Sequence, residues 1–209
     1  ETSPAALGTA FAGAWAQSTR RLETRFAQSP ALREYWRELQ AFLDHGGKHL
    51  RPLLLLGTWS ALRPNEKLPP PVLQLACAVE LFHAFALVHD DVIDQSHQRR
   101  GEPTLHKRLE ARLHLDPRTG ESLALLAGNI LYGACLHALA GAGLPLGAQT
   151  RALHYFTEVT EDTGLGEALE LIQATRPTHE VTEESVLWTY QAKTTRYTFE
   201  APLFLGALA

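Results

Sequence analysis

Between Asp90 and Arg100 the chain places three carboxylates, Asp90, Asp91 and Asp94, and follows them with the paired guanidinium groups of Arg99 and Arg100. That combination suits a magnesium-bound diphosphate. If the run is helical, Asp90 and Asp94 share one face at i and i+4 spacing, while Asp91 is turned away by about 100°. Carboxylates so close repel one another, and a divalent cation offsets their charge. Mg2+ commonly takes one or two protein carboxylates and completes its octahedron with water and phosphate oxygens. The forks of Arg99 and Arg100 match phosphate geometry and keep their charge. The plainer reading of the same residues is a solvated acidic turn followed by a basic one.

A second basic cluster lies upstream, in Gly46-Gly47-Lys48-His49-Leu50-Arg51-Pro52. It sets Lys48 and Arg51 around a glycine turn that enters a helix, where backbone N–H groups favour anions. Together with Arg99 and Arg100 it makes a second anion pocket, separate from the metal site.

Rigid elements have to hold these groups, and the hydrophobic periodicity is helical, with no convincing alternating strand. Ala10 to Ala27 and Ala31 to Leu43 predict two amphipathic helices, with Pro30 near the start of the second. Gly46-Gly47 ends that pair, and an apolar helix runs from Arg51 to about Leu62. After the break at Pro69-Pro70-Pro71, a helix over Val72 to Val88 delivers the carboxylates at its C-terminal end. Residues 95 to 120 are polar, with turn signals at Pro103 and at 116 to 120, a short helix between them, and the character of a mobile loop. Further helices are predicted at about 122–140, 146–162, 166–175 and 182–199. The final segment, Pro202 to Ala209, is apolar and reads as part of a core helix.

The 209 residues read as a single domain, since no Ser/Gly-rich or strongly charged linker divides them. A net charge of -4 argues against nucleic acid as a partner. Cys77 and Cys135 sit in apolar helical stretches without metal-type spacing and read as reduced core residues of a cytoplasmic protein. The stretch from Ser122 to Gln149 has no charged residue and the length to span a bilayer. It carries Asn129 and His137 and is broken around Pro145, so it reads as a buried central helix with no membrane span.

The acidic segment with its trailing Arg-Arg-Gly, preceded by Gly-Gly-Lys-x-x-Arg-Pro, resembles the trans-isoprenyl diphosphate synthase (polyprenyl synthetase) family. Further matches are Glu80 and His83, Pro103-Thr104, Ala127-Gly128, Gly166 with Glu167 and Glu170, and Lys193-Thr194. The resemblance implies an all-α prenyltransferase (isoprenoid synthase) helical bundle around a central cavity, usually a homodimer. It implies an enzyme that joins an allylic diphosphate to isopentenyl diphosphate with Mg2+. Asp90 and Asp94 become the expected metal ligands, with Asp91 adjacent. Lys48, Arg51, His83 and Arg100 match the positions that hold isopentenyl diphosphate; Arg99, Lys193 and Thr194 match those on the allylic side. Product length is set by bulk below the aspartates, here Phe85 and Phe82 with Ala86 leaving space, which suggests farnesyl or geranylgeranyl diphosphate.

Several positions depart from the family pattern. His49 stands where an arginine is usual, Asn129 where an aspartate is usual, and Glu167 and Glu170 where a glutamine and an aspartate are usual. The family's second aspartate-rich motif, downstream of the Lys-Thr pair, is absent from these 209 residues. The expectation is therefore a chain truncated before its last helices, the N-terminal two-thirds of a longer product. The alternative is a non-catalytic or regulatory subunit of a heteromeric prenyl diphosphate synthase. A class I terpene cyclase also uses an aspartate-rich metal site, but handles one diphosphate, and the cluster at 48 to 51 argues for two.

Overall fold

The computed structural model describes residues 3–45 and 47–209, and its architecture is almost wholly helical. Helix α1 spans Pro4–Phe26, α2 Pro30–Asp44, α3 Leu50–Leu62 and α4 Pro70–Ile93. Two-residue strands, β1 (Gln98–Arg99) and β2 (Glu102–Pro103), precede α5 (Leu105–Leu113), α6 (Pro117–Ala140) and α7 (Leu146–Ala174). A 3-10 turn at Thr178–Glu180 leads into α8 (Glu183–Tyr190), a π-helix (Gln191–Glu200) and α9 (Ala201–Leu208), wound one into the next.

The helix starts are written in the sequence. Ser3, Ser29, Asp116 and Thr182 each accept a backbone N–H of the first turn, and α1, α2 and α6 carry proline at the position whose own N–H needs no partner. Helix α4 is the spine: it packs against α1 and α3 and lies along α6, with Val72, Leu75, Ala76, Cys77, Ala78 and Leu81 essentially sealed from water. The small residues Ala124, Ala127, Gly128, Ala134 and Ala138 on α6 allow this close approach. A side chain at Gly128 would run into the His89 imidazole on α4. Cys77 and Cys135 are buried and unbonded, as expected of core residues, and burial pushes the Cys77 thiol up to about 11.

Three expectations change. Helix α7 is continuous where two helices were predicted, because Gly164 and Gly166 sit inside it; an interior glycine costs a helix about 1 kcal/mol, which packing overrides. The segment 95 to 104 is a tied turn. Thr104 is buried and donates its hydroxyl to the Ser96 carbonyl, and its N–H donates to that of His97. Finally, β1 and β2 pair antiparallel in the register Gln98↔Pro103 and Arg99↔Glu102. The residues at their turn, Arg100 and Gly101, both have positive φ, 54° and 83°, as a type I′ hairpin requires. The apolar tail forms α9, whose Gly206 meets α3 so closely that a Cβ would lie 2.5 Å from the Leu55 carbonyl oxygen.

Candidate active site

Helix α4 ends in a Schellman motif: Gln95 N–H donates to Val92 and Ser96 N–H to Asp91, with Gln95 at φ 52° in the place usually taken by glycine. Asp90, Asp91 and Asp94 therefore crowd the negative end of the helix dipole, where carboxylates are unfavourable and cations are drawn in. Two protein cations answer that field. Arg99 donates from Nη2 to Asp90 Oδ2 at 2.7 Å and from Nε to Asp91 Oδ1 at 2.8 Å. Lys193 Nζ lies 3.3 Å from Asp90 Oδ1. Asp91 is 1% exposed, its Oδ2 has no hydrogen-bond partner, and burial raises its pKa against the opposing bond from Arg99. Asp94, at the helix C-cap, is open to solvent. So Arg99 gathers Asp90 with Asp91, the residue expected to point away, while Asp94 stands one turn on. The I′ turn allows this split. It lets Arg99 reach the aspartates while Arg100 reaches the His45 carbonyl, both lining a cavity beside His83.

Lys193 comes from the π-helix, a winding that the periodicity gives no sign of. Besides Asp90 it contacts Glu167 at 2.9 Å and Glu170. Burial opposes its charge, but the bonds to Glu170 and Glu167 hold the ammonium above the ordinary lysine range. Gly166 makes this meeting possible: a Cβ there would lie 2.5 Å from Lys193 N and 2.9 Å from its Cα. Thr194, next to Lys193, is exposed and lines a groove with Glu170 and Tyr190.

The second pocket is cationic. Arg51 donates to Thr198 Oγ1 at 2.7 Å and to Tyr197 OH at 3.2 Å, with its guanidinium 4.6 Å from the Tyr197 ring centroid. Arg100 donates to the His45 carbonyl at 3.3 Å and presses on Gly47, where a Cβ would lie 2.7 Å from Nη2. Lys48, next to Gly47 in the chain, is exposed, and Gly46 lies outside the described residues. His83 faces this group with a buried Nδ1 that has no partner. Burial, then the charges of Arg51, Arg100 and Arg99, depress its pKa to about 3, so it is neutral. A cavity of about 110 Å³ opens here, lined by His83, Arg100 and Gly47 and walled by Trp15, Phe42 and Leu87. An orphaned buried nitrogen among arginines is what an anion site looks like before its anion arrives. Tyr197, Thr198 and Trp15 were not picked out from the sequence, where an aromatic or threonine in a helix has no distinguishing signal.

Phe82 is 1% exposed, packed among Phe85, Tyr132, Phe156 and Tyr197 with ring centroids 5.1–6.3 Å away. Phe85 and Ala86 are only half-buried, and Phe85 leans on Tyr132 at 5.1 Å and on His89 at 4.7 Å.

The acidic donors fit magnesium. They are hard oxygens, and Asp90 already attracts two cations. Magnesium tolerates few protein ligands because water and phosphate fill its other positions.

A family model described as polyprenyl synthetase matches residues 33–209. A geranylgeranyl diphosphate synthase from Saccharolobus solfataricus is 33% identical over 151 residues, 71% of this chain and 41% of that protein. A farnesyl diphosphate synthase from Geobacillus stearothermophilus is 44% identical over 89 residues, 42% of this chain and 26% of that protein. Among solved structures, a geranylgeranyl pyrophosphate synthase from Corynebacterium glutamicum, complexed with isoprenyl diphosphate and magnesium, superposes with a TM-score of 0.85 at 28% identity. That match covers 97% of this chain and 58% of the other. The chain thus spans less than two-thirds of these relatives' lengths.

Proposed function

This chain belongs to the polyprenyl synthetase family, and from that premise we propose that the protein condenses an allylic diphosphate with isopentenyl diphosphate, head to tail. The observation that carries the reading is a pair of adjoining cation sets, one on Asp90 and one around His83, with Arg99 between them. Arg99 and Lys193 converge on Asp90, while the charges of Arg51 and Arg100 bear on a neutral His83. Two anion sites fit two diphosphates. Magnesium held by Asp90 and Asp94 would neutralise charge on the departing allylic diphosphate. Arg99 and Lys193, now paired with carboxylates, take up its oxygens as the carbon–oxygen bond breaks. The double bond of isopentenyl diphosphate, held by Lys48, Arg51, His83 and Arg100, attacks the cation, and a proton leaves to the released diphosphate. The apolar faces of α4, α6 and α7 keep water from quenching the cation.

The experiment is turnover by the purified full-length protein of isopentenyl diphosphate with an allylic diphosphate, with and without Mg2+. Chain growth that needs both supports the reading. Activity that arises only on adding another subunit supports a regulatory role.

We assign product length to Phe85 rather than Phe82, because only Phe85 is exposed enough to meet a tail. Phe85→Ala is expected to lengthen the chromatographed product by at least one isoprene unit from a farnesyl or geranylgeranyl length. Phe82→Ala, a cavity in a sealed aromatic core, is expected instead to destabilise the fold by about 3–5 kcal/mol in chemical denaturation. An unchanged product from Phe85→Ala would remove this assignment.

A second copy of the chain is the proposed partner for α6. Helices α4 and α6 are both long and apolar enough to cross a membrane. Yet α4 is consumed by the core, whereas α6 leaves Leu125, Leu126, Asn129 and Gly133 open along one side. An exposed leucine pair continued by Asn129 and Gly133 suits a self-complementary dimer. Sedimentation is expected to report a dimer in wild type and a monomer in Leu126→Glu; a monomeric wild type would count against it.

A further inference from the structure

His49, where the family pattern has arginine, sits just before α3 at φ 48°, a left-handed conformation with no side-chain capping bond. Something else must hold it there. Its Nδ1 meets Glu80 Oε1 at 2.8 Å, and its ring packs against Phe11 at 5.1 Å and Trp15 at 6.4 Å between centroids. Glu80 is 7% exposed, and its other oxygen has no partner. A buried carboxylate with one partner depends on that partner's charge. The same short loop carries Gly47, against which Arg100 rests, and Lys48.

We infer that His49 and Glu80 are a positioning pair that fixes the loop bearing Gly47 and Lys48 for isopentenyl diphosphate, and that they do so in a pH-dependent way. The inference rests on the condensation reading above. The groups facing His49 are few. Helix α4 contributes Glu80 and His83, the hairpin turn contributes Arg100, α3 contributes Arg51, which is turned onto Tyr197, and α1 contributes only the uncharged rings of Phe11 and Trp15. Of these, His83 is neutral. The bond His49 donates to Glu80 raises its pKa, with burial and Arg100 opposing. Because the folded value lies above the unfolded one, the anchoring is complete below about pH 6.5 and is lost as pH rises through the raised value.

The test is the dissociation constant of isopentenyl diphosphate for the full-length protein from pH 6 to 9, by calorimetry without added metal, for wild type, His49→Arg and Glu80→Gln. Inorganic diphosphate serves as a second probe, and NMR follows the His49 imidazole and the Lys48 amide. His49→Arg keeps a permanent charge opposite Glu80, so the wild-type to variant ratio cancels the ligand's own titration. Wild-type affinity is expected to fall about five- to tenfold relative to His49→Arg across this range, with the Lys48 amide tracking His49. Glu80→Gln should weaken binding at pH 6 and return His49 toward its ordinary value; if that variant does not fold, His49→Arg against wild type decides. Parallel profiles for wild type and His49→Arg, or a Lys48 amide indifferent to His49, would overturn the pair while leaving condensation standing. If the amide and inorganic diphosphate follow His49 but isopentenyl diphosphate binds no tighter than inorganic diphosphate, the pair stands and the condensation reading fails.

Discussion

Asp90→Asn is expected to lower single-turnover condensation by about 10³-fold, the scale of losing about 4 kcal/mol of charge stabilisation in the transition state. Asp90 is the carboxylate that touches both Arg99 and Lys193. The amide keeps its shape but removes the charge that would gather metal and cations around a leaving diphosphate. The fold should tolerate the change. Arg99 keeps Asp91 at 2.8 Å, Lys193 keeps Glu167 at 2.9 Å, and one like charge leaves the negative end of α4. Stability measured by denaturation should therefore stay within about 0.5 kcal/mol of wild type or rise slightly. Activity within tenfold of wild type at saturating Mg2+ would mean that Asp90 is a structural partner of Arg99 and nothing more.

Gly166→Ala is expected to reverse the usual sign of its class. In an unencumbered helix interior, alanine in place of glycine adds about 1 kcal/mol of stability. At Gly166 the new Cβ meets the backbone of Lys193, at 2.5 Å from its nitrogen, and backbone has no rotamer by which to yield. Helix α7 and the π-helix must separate, with a loss of about 1–3 kcal/mol. Lys193 is then drawn away from Asp90, so activity falls with stability. Two measurements decide: the denaturation midpoint and the rate at a temperature where the variant is fully folded. A stabilised Gly166→Ala protein would show that the approach is looser than this geometry.

The delivery of Asp90 to Asp94 by an apolar helix was legible because it depends on local periodicity and on carboxylate spacing. So was the start of α2, where Ser29 stands before Pro30; Asp116-Pro117 instead reads as a turn, and α6 begins there, ahead of the predicted 122. Other features depend on contacts between distant segments, and these leave no local trace. Gly164 and Gly166 read as a break between helices, because composition cannot tell a glycine that ends a helix from one that lets another backbone pass. The hairpin was hidden since its strands are too short to alternate; only Gly101 after two arginines marked it. Lys193 was found by resemblance alone. Its partners Glu167 and Glu170 stood out only as part of that resemblance and as departures in residue type, and Tyr197 under Arg51 not at all.

The π-helix has a consequence for how the two halves of the site stay matched. Lys193 serves the aspartates, and four residues later Tyr197 serves Arg51. In α winding four residues overshoot a full turn, at about 400°, whereas in a winding with i→i+5 bonds they fall short of one. The angle between the two anion subsites is therefore an angular phase stored in the backbone. Substitutions can tune either charge without disturbing it. Gaining or losing a single residue between 191 and 200 would rotate one subsite out of step with the other, even with every side chain of the site retained.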